Sequence, residues 1–213
     1  MRKTSEFPCP VMEKLIFVFP ATVHIMEKAP DKTERRYCAF LRGINVGGHT
    51  LIRMDELREA FESLGFKGVK TVLASGNVVF QAPQKDTAEI SGNIAGMLRR
   101  ILGREVLVIV HSLDELRELE ARQPFKDVRP DAKARKFVTF LSEDLKARSR
   151  SGQLVGDDFQ VLIVSDGAIC SVLYDRPGVG TPELMSVIEK VYGRNVTTRT
   201  WDTITKVLRA GDN

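Results

Sequence analysis

A chain of 213 residues, 43% apolar and 28% charged, is long enough to bury a core without disulfide or metal staples. Its net charge of +4 and pI near 9.0 favour anionic partners but exclude a histone-like polycation. Cys9, Cys38 and Cys170 make no CxxC pair and no metal-ligand spacing with His24, His49 or His111, which excludes a zinc motif and suits a reducing cytoplasm.

Residues 1–36 read as a disordered or dispensable extension. Leu15 to Ile25 is apolar, but Pro20 interrupts it, and it is too short to span a bilayer. Glu6, Glu13 and Lys14 spoil a secretory signal, and Met26 is a candidate start.

The apolar run Tyr37–Leu41 predicts a buried first strand, and Val46-Gly47-Gly48-His49 a loop. Met54, Leu57, Ala60, Phe61 and Leu64 recur at helical spacing, with Gly65 as the stop. Strands are predicted at Val69–Ala74 and Val78–Gln81, joined by a Ser75-Gly76-Asn77 turn. Asp86 with Glu89 opens a helix carrying Ile90, Ile94, Leu98 and Ile101 and ending at Gly103. A strand over Glu105–Val110 follows, then a short helix opened by Ser112 and Glu115. Gln123–Ala134 reads as a linker.

The order then repeats. Lys136–Leu141 is a strand, and Ser142 caps a short helix through Leu145. Phe159–Val164 and Ala168–Tyr174 flank an Asp-Gly turn. Thr181-Pro182 starts a helix with Leu184, Ile188, Val191 and Tyr192 on one face, stopped by Gly193. Val196–Arg199 is the last strand, and Thr200 opens a last helix with Ile204, Val207 and Leu208. The pattern predicts an α+β chain of two tandem ferredoxin-like (β-α-β-β-α-β) domains, over 37–122 and 135–210, each with an added short C-terminal helix. The alternative, a single parallel sheet, conflicts with two tight hairpins.

Four segments carry a family resemblance: LRGINVGG at 41–48, MDELREAFESLGF at 54–66, ASGNVVF at 74–80, and Arg194–Trp201 with Thr203 and Lys206. Together they resemble a bacterial family of unknown function built as two tandem ferredoxin-like domains, over roughly 37–210. The resemblance implies the fold and a cytoplasmic location, and it implies no activity.

Candidate ligand-binding residues are Arg42, Asn45, Gly47 and Gly48 at the first strand's end, and Arg194, Asn195, Thr197 and Arg199 around the last strand. An arginine and an asparagine beside glycines can hold an anion with guanidinium and backbone N–H groups. The loop lacks G-K-[ST] and is no Walker A motif. Alternation puts Asn195, Thr197 and Arg199 on one face, Val196 and Thr198 on the other, a candidate inter-domain or ligand surface. Ser75-Gly76-Asn77 is expected at the sheet end opposite the first strand's end, so the two would not share a pocket within one domain. No catalytic residue is assignable: His49 and His111 stand alone, and Asp157-Asp158 is too small a set for calcium. Trp201 reads as a core anchor, and Lys206 either reaches the same region or covers its helix end.

Two functions are expected. One is a module binding a small anionic ligand, or nucleic acid stacked on an open sheet face. The alternative is an enzyme acting on a small phosphorylated or carboxylated substrate in the inter-domain cleft. No cofactor, metal or membrane partner is expected, and open sheets in tandem also invite a homo-oligomer.

Overall fold

Local chemistry sets most element ends. Asp86 accepts the Ala88 N–H at the start of one helix, and Ser112 and Glu115 form a reciprocal capping box at the start of the next. Gly103 ends the first of these in the left-handed conformation (φ 67°). The computed structural model describes residues 34–45, 51–128, 134–146, 159–165, 167–174 and 181–212.

In the first half, strand β1 (Glu34–Leu41) leads to helix α1 (Met54–Ser63), strands β2 (Lys67–Val72) and β3 (Asn77–Pro83), helix α2 (Thr87–Leu102), strand β4 (Val108–Ser112) and helix α3 (Leu113–Ala121). In the second, β5 (Ala134–Leu141), α4 (Glu143–Lys146), β6 (Phe159–Ser165), β7 (Ala168–Tyr174), α5 (Thr181–Tyr192), β8 (Val196–Thr200) and α6 (Trp201–Asp212) repeat that order. The strands form two antiparallel four-stranded sheets, ordered β2-β3-β1-β4 and β6-β7-β5-β8. The halves are alike in order and pairing: Cys38 of β1 opposes His111 of β4, and Val138 of β5 opposes Arg199 of β8.

Each sheet buries one face under its own helices. Tyr37, Ala39 and Leu41 pack with Leu57, Phe61, Ile90, Ile94 and Leu98 in the first half. Phe137, Leu141, Leu184 and Ile188 do so in the second. The opposite faces pack on each other. Cys38, Phe40, Val79 and Ile109 meet Val138, Phe140, Cys170 and Val172 in one cluster, closed by α3 and α6. Phe40 and Phe140, at equivalent places in β1 and β5, stack with centroids 4.3 Å apart at 17°. The sheet face expected to stack nucleic-acid bases is therefore buried between the halves.

Four expectations are corrected. β1 begins at Glu34, so the last three residues of the 1–36 extension pair with β3, up to Glu34 opposite Pro83. β4 begins at Val108 rather than Glu105. The hairpin turn is Leu73–Gly76, and Asn77 is a fully buried strand residue. That turn also shares an end of the sheet with the first strand's end, because antiparallel neighbours reverse direction: Phe40 opposes Asn77, and Leu41 N–H donates to Gly76 O at 2.8 Å. Gly76 is needed there twice over. Its φ is 78°, and a Cβ would sit 2.2 Å from Ile44 Cγ2.

Candidate functional site at the seam

Arg199 leaves the buried face of β8 and crosses to the first half. Its Nε donates to Asn77 Oδ1 at 2.6 Å, and its terminal nitrogens donate to Leu41 O, Ser75 O, Thr197 Oγ1 and Thr198 O at 2.7–3.1 Å. All five guanidinium N–H groups are thus engaged. Its Cζ lies 5.9 Å from the Phe40 ring centre. Burial draws this guanidinium down to about 10, with the facing Cys38 acting the other way. It stays a cation at neutral pH, and each of its hydrogen-bond partners is neutral.

Arg42 makes the reverse crossing. It donates to Glu189 Oε1 at 2.7 Å, to Val196 O at 3.0 Å and to Arg194 O. Ser142 N–H bonds Asn195 O, so the alternation of an antiparallel ladder turns the Val196 and Thr198 carbonyls away from β5. Arg42 and Arg199 satisfy those two carbonyls and blunt the β8 edge against strand pairing.

The two arginines line one cavity of about 690 Å³ between the halves, with Gly43, Ser75, Thr197 and Thr203 on its wall and Phe137, Met185 and Val196 as its apolar part. Asn45 lies outside it. At φ 57°, Asn45 donates to Ile52 O at 3.0 Å and accepts the Ile52 N–H at 2.9 Å, holding the two ends of the glycine loop together. Asn195 is exposed and donates to Asp144 Oδ2 at 3.4 Å. Arg194 lines a neighbouring depression with Glu189 and Lys190. Gly47, Gly48, His49, Asp157 and Asp158 lie outside the described residues. Trp201 meets Phe125 edge-on at 5.1 Å, and Lys206 pairs with Asp202 one turn back.

Sequence reading missed Glu189, Phe137 and Met185, because contacts between halves leave no local signal. It also missed what surrounds His111. This side chain is 4% exposed, its Nδ1 is 3.4 Å from Glu115 Oε2, and its Nε2 has no hydrogen-bond partner among the described residues. The hydrogen bond from His111 is the largest influence on Glu115. It outweighs desolvation and, with the Ser112 N–H, pulls the carboxyl from its ordinary 4.5 to about 2. A depressed carboxylate pKa stabilises the fold above pH 4.5 and loses that effect as pH falls toward 2. Glu115→Gln is expected to cost about 1 kcal/mol at pH 7, solvent screening of this half-exposed group included. Urea denaturation across pH should show the difference shrinking below pH 4.5.

Among the described residues, no helix is long and apolar enough to cross a membrane, and no three His, Cys, Asp or Glu residues cluster as metal ligands. No curated protein matches the chain. A solved structure, that of a conserved bacterial protein of Streptococcus pneumoniae, matches over 83% of this chain and 98% of its own at 19% identity, with a TM-score of 0.59. That similarity concerns the fold alone. The model of the family "Protein of unknown function (DUF1697)" matches residues 35–159, which include the glycine loop, the first helix and the turn before β3. The match spans more than half of the sequence, and the chain belongs to the DUF1697 family.

Proposed function

We propose that this protein is a binding module whose ligand is a small anion carrying an apolar portion, held in the cavity between the halves. The observation that carries the reading is the Arg199 charge on the cavity wall, whose hydrogen-bond partners are all neutral. Its donors are all used, so it contributes a positive potential in a low-dielectric wall. Arg42 supplies the direct contact. Its Nε and one terminal N–H have no protein acceptor in the described bonds. Phe137, Met185 and Val196 offer the apolar surface.

On this reading the halves are tandem ferredoxin-like domains, over 37–122 and 135–210. The strand order β2-β3-β1-β4, repeated as β6-β7-β5-β8, supports that name. The buried free thiols of Cys38 and Cys170 support a reducing compartment such as the cytoplasm. Nucleic acid has less support, since the sheet faces are covered. Catalysis in this cleft also has less support, since no carboxylate or histidine lines it among the described residues.

The test is thermal-shift screening against nucleotides, sugar phosphates and carboxylates. A hit at 100-fold its Kd should stabilise the protein by about 2.7 kcal/mol. Arg42→Ala should remove most of that gain. If Arg42→Ala and Thr203→Val both leave every hit unchanged, the ligand binds elsewhere.

A further inference from the structure

The duplication builds the seam twice, and the two copies differ. Arg199 stands opposite Val138 in one, and His111 stands opposite Cys38 at the equivalent place in the other. Arginine is long enough to cross and bond the facing half. Histidine stops short, between Phe140 (4.8 Å) and Phe40 (6.5 Å). The consequence is a second cavity of about 220 Å³, walled by His111, Glu115, Glu118, Arg122, Phe140 and Ser165.

We propose that this cavity is a binding site for a small zwitterion of the amino-acid class. Three observations carry the inference. Glu118 and Arg122 present opposite charges to the cavity, and neither is in an ion pair among the described residues. The carboxylate of the ligand faces Arg122, and its ammonium faces Glu118. His111 supplies the third. Its Nδ1 lies beside the Glu115 carboxylate and is the nitrogen placed to donate, and its Nε2 is a buried polar atom with no hydrogen-bond partner among the described residues. Leaving such a group unmet is costly, and a ligand N–H or O–H meets it. Size agrees, since an apolar cavity of about 150 Å³ is enough for benzene. This site is separate from the one at Arg42 and stands or falls independently of it.

The experiment follows the ring ¹⁵N signals of His111, identified by their loss in His111→Phe, during titration of the full chain with L-serine. Propionate and ethanolamine carry one charge each and serve as comparators. L-serine should shift the His111 signals saturably, and the comparators at equal concentration should not. Arg122→Gln, a surface change, should weaken binding at least tenfold. His111→Phe should raise the Tm of the unliganded protein while abolishing the thermal shift caused by serine, a pairing that a purely structural histidine would not give. Absence of a saturable shift with L-serine, an equal shift with propionate, or full affinity in Arg122→Gln would each overturn the proposal.

Discussion

Replacing Arg199 with alanine is expected to destabilise the fold by about 3–5 kcal/mol, a large share of the total for a domain of this size. The physical reason is what the substitution leaves behind. Asn77 is fully buried, and Arg199 Nε is the donor its Oδ1 accepts from, at 2.6 Å. Leu41 is fully buried as well, and its carbonyl accepts from the same guanidinium. A buried acceptor stripped of its donor costs about 1–3 kcal/mol, and two are stripped at once. Relief of the desolvated charge offsets part of this, which keeps the figure below the sum for all five bonds. Arg199→Lys should recover less than half of the loss, because an ammonium has three donors and cannot fork to Asn77, Leu41 and Ser75 together. Urea denaturation at constant m-value measures both variants. A loss below about 1 kcal/mol in Arg199→Ala would mean that the guanidinium does not clasp the halves.

The second large effect belongs to the ring pair on the seam. Phe40→Ala should cost about 3–5 kcal/mol, and Phe140→Ala a similar amount, since both rings are fully buried and stack at 4.3 Å. The double variant should cost less than the sum by about 0.5–1.5 kcal/mol, the coupling typical of an aromatic pair in contact. Phe40 and Phe140 sit in different halves, so a measured coupling is also direct evidence for the packing of one sheet on the other. Strict additivity would separate the halves.

How much of this was legible in the sequence follows from the range of each interaction. Periodicity and caps found every described helix, because those signals lie within a few residues of one another: Asp86 with Glu89, Ser112 with Glu115, Gly103 after Leu102, although Asp86 caps through the Ala88 N–H and Glu89 pairs with Lys85 instead. The repeat of element order was legible for the same reason. The covered sheet face was legible too, but it was misread. Tyr37, Cys38, Ala39, Phe40 and Leu41 are all buried, and a run without polar alternation marks a strand with both faces covered. An open, base-stacking face would have required alternation at Cys38 and Phe40. Ile101 and Val191 were placed on apolar helix faces and are about half exposed, at the ends of α2 and α5, where the stripe has already turned outward.

The residue types around the candidate cavity were legible, and their partners were not. Arg42, Thr197 and Arg199 do line one cavity, yet Arg199 is fully bonded to protein, and Arg42 already holds Glu189. Asn45, expected among the ligand-binding residues, instead bonds the Ile52 backbone seven positions on, at φ 57°. Glu189 and Asn77 could not be paired with their arginines, because they lie 147 and 122 positions away in sequence. His111 looked isolated for the opposite reason. Its one close polar partner, Glu115, had already been assigned to a helix cap, and Phe140, whose ring lies 4.8 Å away, comes from the second half.

Native-state hydrogen exchange tests the sealed seam most directly. The amides of the central strands β1 and β5 should open with one free energy, equal to that of global unfolding, and Arg199→Ala should lower both by the same amount. If β5 amides exchange at a distinctly lower free energy than β1 amides, or if only one strand responds to Arg199→Ala, then the halves open separately and the cavities between them are not preformed sites.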